Sequence, residues 1–158
     1  MASAELDCTT ITSYAEAKSL SDEWRALHER AGHSLFTDYD WFDIWWCTMG
    51  DTNGYSLHII TGRLDGKLVA LLPLAVVCRK GFQILQSVGA DVCFQCDMLC
   101  EEPGYATALW KVARQSPHYD FAHLRDVCPD ASWKQALSSF ALPCDNDKSY
   151  YLSIEWRE

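Results

Sequence analysis

The chain has 158 residues, 49% of them hydrophobic and 13% aromatic, and a formal net charge of −9 at pH 7. That length and apolar content fit one globular domain and exclude a disordered chain. The acidic balance, with Arg79-Lys80 as the one short basic pair, excludes the basic stripe that nucleic acid or an anionic membrane surface requires.

No apolar run is long enough to cross a bilayer. The opening stretch, MASAELDCTTITS, has neither a basic n-region nor an apolar h-region, so a cytoplasmic, reducing location is expected. There the eight cysteines are expected to be mostly free thiols that behave as small buried hydrophobes.

Leu6 to Ile11 alternates weakly and predicts a first short strand. Ser13 and Glu16 form a capping box, and Ala17, Leu20, Trp24, Leu27 and Ala31 follow at helical spacing until Gly32. A second helix start lies at 37–40, ahead of Trp41, Phe42, Ile44, Trp45, Trp46 and Met49, with Gly50 at its end. Its aromatic faces are too broad for a surface helix, so it should be covered on more than one side.

Character changes at Tyr55. SLHIITGRL and KLVALLPLAVVC read as strands joined by a tight Asp65-Gly66 turn. Pro73 interrupts the second run, and because it cannot donate to a ladder it predicts a bulge, a splayed strand or an edge. FQILQSV and VCFQCDMLC continue as strands. A helix from about Tyr105 to Ser116 follows Glu101-Glu-Pro-Gly104, with Leu109, Val112 and Ala113 inward, and Pro117 stops it. A strand at 119–124, a short helix at 132–140 and a last strand at 150–156 complete the order. The chain shows no repeat and no linker, so residues 1–158 form a single domain.

The order of elements looks like the acetyltransferase fold of the GNAT superfamily. More narrowly, the series SDEWRAL, FTDYDWFDIWW, DGKLVALLPL, a strand carrying Asp97, and YDFAHLRDV resembles the N-terminal half of CelD-like acyltransferases. These are cellulose-biosynthesis-type relatives of the FemAB proteins. The resemblance implies an α/β (α+β) fold with a mixed, mostly antiparallel sheet flanked by helices. It also implies a larger enzyme of two acetyltransferase-like halves, which moves an acyl group from acyl-CoA or another thioester to an amine or hydroxyl. In that family the second half usually supplies the acyl-CoA site, and this chain ends close to where a second half would begin. Alternatively, the chain is a stand-alone, non-catalytic binding or assembly module on the same fold.

An acyl-CoA site of this superfamily needs a strand, a glycine-rich loop and a helix N-terminus whose amides hold the pyrophosphate. Here the loop is Glu101-Glu-Pro-Gly104, with two carboxylates and a proline that lacks an amide donor. No cofactor is therefore expected in the isolated domain, and acyl-CoA is expected only for the full enzyme.

CFQCDMLC (93–100) places three thiols and a carboxylate in eight residues. Read as a strand, it sends Cys93, Gln95, Asp97 and Leu99 to one face and Phe94, Cys96, Met98 and Cys100 to the other. Metal ligands must converge, so buried thiols are favoured over a metal site, and none is assigned. The resemblance turns Asp97 towards the cleft, where it could orient a substrate amine or act as general base; the other reading is a ladder-end aspartate accepting backbone amides. Trp41, Trp45 and Trp46 form either a wall for substrate or part of the core, with core favoured. Arg79 and Lys80 either hold an anionic substrate or form a solvated hairpin tip, with the tip favoured. The five histidines are dispersed without a metalloprotease pattern, and no serine sits on a nucleophile elbow. Because one half of a two-half enzyme leaves apolar surface to cover, a homodimer or a second half is the expected partner. Tyr151, Leu152, Ile154 or Trp156 would lie at the contact.

Overall fold

The computed structural model describes residues 6–32, 34–93, 97–127 and Ala136. The expected helix at 132–140, the last strand at 150–156 and the dimer contact drawn from it lie outside these, Ala136 apart.

Strand β1 (Asp7–Ile11) leads into helix α1 (Tyr14–Ser19), where the Ser13 hydroxyl accepts the Glu16 amide at 3.2 Å and donates to the Glu16 carboxylate. The single helix expected up to Gly32 is in fact two. Leu20 leaves helical geometry (ψ 0°), its amide turns to the Ala17 carbonyl, and α2 (Ser21–Ala31) starts afresh. Ser19 contributes to the break by bonding its hydroxyl back to the Glu16 carbonyl at 2.7 Å. Gly32 ends α2 in extended geometry rather than a left-handed cap. A side chain there would collide with the His28 ring, at 2.4 Å from Cδ2. Asp38 caps α3 (Tyr39–Trp45) by accepting the Asp40 amide at 2.7 Å, and one π turn (Trp46–Gly50) prolongs it to the expected glycine.

The hairpin forms as its sequence demands. Strands β2 (Tyr55–Leu57) and β3 (Ile59–Leu64) run out, and β4 (Lys67–Leu72) and β5 (Leu74–Arg79) return. Asp65 and Gly66 turn between them with φ of 50° and 83°, the left-handed pair that a two-residue hairpin turn requires. Register is the same on both sides of Pro73: Tyr55 faces Val77, Leu57 faces Ala75 and Ile60 faces Leu72. The proline therefore makes neither a bulge nor an edge. It divides the ladder into two four-stranded sheets that share this hairpin. The one register shift in the hairpin lies elsewhere, at Gly62/Arg63.

Beyond the turn at Lys80-Gly81, β6 (Phe82–Ser87) pairs antiparallel with β5, Leu74 facing Ser87, and the Val88 amide still reaches the Pro73 carbonyl at 3.0 Å. The cysteine stretch then departs from its expected form. Among its described residues only Leu99–Cys100, strand β7, lies in a ladder, facing Leu71 and Ala70 of β4, while Cys93 closes a turn on the Gly89 carbonyl. Pairing thus resumes at Leu99 opposite Leu71, where an unbroken strand in the β5–β6 register would place Ala90. The apolar pattern suits both forms, but a ladder bond needs a donor on the neighbouring strand, and Pro73 has none. Helix α4 (Tyr105–Gln115) and strand β8 (Phe121–Ala122), parallel to β6, complete the described fold.

Both faces of the hairpin are covered, which is why LVALLPLAVV reads as a continuous apolar run. Ile59, Leu71, Ala75 and Val77 pack under α2 and α3, while Ile60, Leu72, Leu74 and Val76 pack with Leu109 and Trp110 of α4. Trp24 anchors the first layer. It is fully buried, stacks on Phe42 at 4.9 Å, meets Tyr39 edge-on at 5.6 Å, and donates its indole N–H to the Thr37 carbonyl at 2.8 Å. Trp24→Ala removes that volume and the bond together. Chemical denaturation should show a loss of about 3–5 kcal/mol.

Candidate functional site

Four polar side chains meet from β2, β5, β6 and the turn that follows β6. The buried Tyr55 hydroxyl donates to the Asp91 carboxylate and accepts from Arg79 Nη2 (3.3 Å) and Gln86 Nε2 (3.2 Å). Arg79 Nη2 also bonds Asp91 at 3.0 Å. Tyr55 and Gln86 are buried, whereas the Arg79 and Asp91 side chains are 54% and 37% exposed. The network thus runs from the core to solvent. Burial first, and then the Asp91 carboxylate, push the Tyr55 phenol above its ordinary pKa, with Arg79 pulling the other way. Tyr55 is therefore a protonated, fully bonded strut and Asp91 the acceptor it aims.

Aromatic rings wall this network. Trp45 is buried and meets Tyr55 edge-on at 5.2 Å. Trp41, half-buried, lies on the turn that carries Asp91: a side chain at Gly89 would stand 1.9 Å from its ring, and Gly89 has φ of +74°. Two of the three expected tryptophans thus flank one place, while Trp46 stacks on Tyr14 at 6.2 Å instead. Arg79 belongs to the network. Lys80 does not; it sits exposed on the hairpin turn with φ of 54°. Asp97 lies just before β7 and accepts the Met98 amide at 2.8 Å. The network's centre, Tyr55, Gln86 and Asp91, had no motif in the sequence, because its members are far apart in the chain.

The loop searched for phosphate binding has its own partners. Glu101 accepts from Arg30 Nε at 2.6 Å and Lys67 Nζ at 3.0 Å, and the Arg30 bond, then Lys67, holds its carboxyl below the usual range. The first amides of α4 turn to the preceding carbonyls, Tyr105 to Glu102 at 3.0 Å and Ala106 to Pro103 at 3.2 Å. Burial pushes the Cys100 thiol up to about 11, too high for a nucleophilic thiolate at neutral pH. The expectation that the thiols are mostly buried fails for those described. Cys93 is buried, Cys8 and Cys100 are half-buried, and Cys47 and Cys78 are exposed.

No protein-family model and no curated protein matches the sequence. Solved structures do match in fold. A ribosomal-protein-alanine N-acetyltransferase from Brucella melitensis biovar Abortus 2308 aligns with TM-score 0.55 and 15% identity, over 94% of this chain and 99% of its own. An aminoglycoside acetyltransferase, meta-AAC0020, from an uncultured soil metagenomic sample aligns in its sisomicin complex with TM-score 0.55 and 12% identity, over 95% and 97%. A probable acetyltransferase gives 0.53 and 12%, over 96% and 99%. The chain therefore has the mixed α/β fold of GNAT acetyltransferases, with antiparallel strands flanked by helices.

Two substitutions test the geometry. Tyr55→Phe strands the buried Gln86 amide, and equilibrium unfolding should show a loss of about 1–3 kcal/mol. Gly89→Ala should cost at least about 1–2 kcal/mol from its left-handed backbone alone. It should also change tryptophan fluorescence as Trp41 is displaced.

Proposed function

We propose, starting from an acetyltransferase fold, that this chain is the N-terminal half of a CelD-like, FemAB-like acyltransferase and forms the acceptor side of its cleft. The full enzyme would move an acyl group from a thioester to an amine or hydroxyl. The observation that carries this reading is the gap in the third strand. There β6 parts from its neighbour opposite Pro73, and the turn beyond it presents Asp91, fixed by Tyr55, beside Trp41. A fixed, partly exposed carboxylate beside aromatic rings suits the positioning of an acceptor amine or hydroxyl, and it could take the acceptor's proton. The free thiols of the described cysteines agree with a reducing, cytoplasmic setting.

Donor binding falls to the second half in this reading. The α4 amides at Tyr105 and Ala106 are already taken, and the exposed Glu102 would repel a pyrophosphate. The half would be completed by a second acetyltransferase-like half or by another copy of itself. Exposed Leu35, Ile44 and Val92 support a need for such cover.

Calorimetry with acetyl-CoA tests the division of labour. The chain alone should show no saturable binding as tight as roughly 1 μM. Binding at that level, weakened by Arg79→Ala or Lys80→Ala, would place the donor site in this half. Light scattering should give twice the 17.9 kDa chain mass, and a stable monomer at high concentration would count against self-association.

A further inference from the structure

Opposite the candidate site, on the α4 side of the sheet, lies a group the proposed acyl transfer does not use. His58 stands at the break between β2 and β3, level with Leu74, whose carbonyl takes its amide at 2.9 Å. Its side chain is buried at 2% exposure, and its Nε2 has no hydrogen-bond partner. Among the described residues, the connection between α4 and β8 lies against it. His118 and Tyr119 meet the His58 ring edge-on, at 6.4 Å and 6.3 Å between ring centres.

We propose that His58 is an acid-sensitive latch that holds the 116–120 connection on the sheet and releases it when its imidazole is protonated. A neutral His58 ring is tolerable in this apolar place, although its unpaired nitrogen is already a cost. An imidazolium is not. From the sheet its neighbours Leu74 and Ile60 offer no acceptor side chain. From the connection it faces the His118 ring and Tyr119, whose hydroxyl is committed to the Ala113 carbonyl at 2.8 Å. From the end of α4 the Arg114 cation acts on Tyr119. The carboxylate of Asp120 is engaged by the Gln83 amide, which it accepts at 2.7 Å. None of these described residues offers the new charge a free carboxylate, and the simplest way to hydrate it is to lift the cover.

The cover is also what starts the β6–β8 pairing. Asp120 donates its amide to the Gln83 carbonyl at 2.8 Å and His123 donates to Leu85 at 2.8 Å, so lifting residues 116–120 loosens β8 from β6. Burial first, and then His118, hold the His58 pKa below its ordinary value of 6.5. A histidine depressed in this way binds protons more readily when exposed. The stability it confers is complete above about pH 6.5 and is lost as the pH falls through its depressed value.

Hydrogen exchange of the Asp120 and His123 amides, corrected for intrinsic rates, tests the latch. Protection should fall about tenfold or more between about pH 7.5 and about pH 5 in the native chain. In His58→Phe, which keeps a ring but cannot be charged, it should stay constant. His118→Gln should shrink the fall. An unchanged native ratio, or a fall of equal size in His58→Phe, overturns the proposal. Should His58→Phe not fold, the native His58 ring resonance decides the matter by NMR. Its titration midpoint must coincide with the loss of amide protection, and separate midpoints would refute the latch.

Discussion

Pro73 has no amide hydrogen, and it sits in the middle of a strand that has neighbours on both sides. The rest of the architecture follows from that missing donor. A central strand cannot carry an unbroken ladder past a proline, so β4 and β5 belong to two sheets although they share one hairpin and one register. The third strand meets the same obstacle from the other side. Its last contact before the gap is to the Pro73 carbonyl, the one backbone group that proline still offers. The chain then turns at Gly89 to Cys93 and pairs again only at Leu99. An interruption that would weaken an ordinary sheet here yields a turn free to carry side chains outward.

Rigidity is restored around the gap by rings rather than by strands. Trp45 holds Tyr55, Tyr55 holds Asp91, and Trp41 occupies the space above Gly89 that any other residue would claim. These contacts tie α3 to the turn, and Trp24 and Phe42 tie α3 to α2. The aromatic load of the sequence thus does two jobs. Trp24 and Trp45 are buried in the core, while Trp41 is half-buried and packs on the turn at Gly89. On the opposite face the same strand break leaves His58 with a nitrogen that no neighbour satisfies.

What could be read in the sequence was local chemistry. Ser13, Asp38 and Asp65-Gly66 each act on amides or dihedrals within three residues, and each starts or turns the element expected of it. The continuous apolar runs also spoke plainly, because helices on both faces leave a strand no polar side. The ordered series of elements was enough for the fold. What stayed hidden depends on partners distant in the chain. The break at Leu20 leaves the apolar stripe intact and so cannot show in it. The cysteine stretch has a strand's composition, but its pairing was decided by a proline on another strand. Asp97 drew attention through its surroundings, while Asp91, with no motif of its own, is the carboxylate that Tyr55 holds beside the tryptophans.

The central claim is that the third strand opens opposite Pro73 and resumes only at Leu99. Contacts across the strands, measured as nuclear Overhauser effects between backbone protons, test it most directly. The broken strand places Ser87 opposite Leu74 and then Leu99 opposite Leu71, so both pairs should show close contacts. A continuous strand in the β5–β6 register would instead bring Ala90 opposite Leu71. Contacts between Ala90 and Leu71, with none between Leu99 and Leu71, would close the gap and contradict the account.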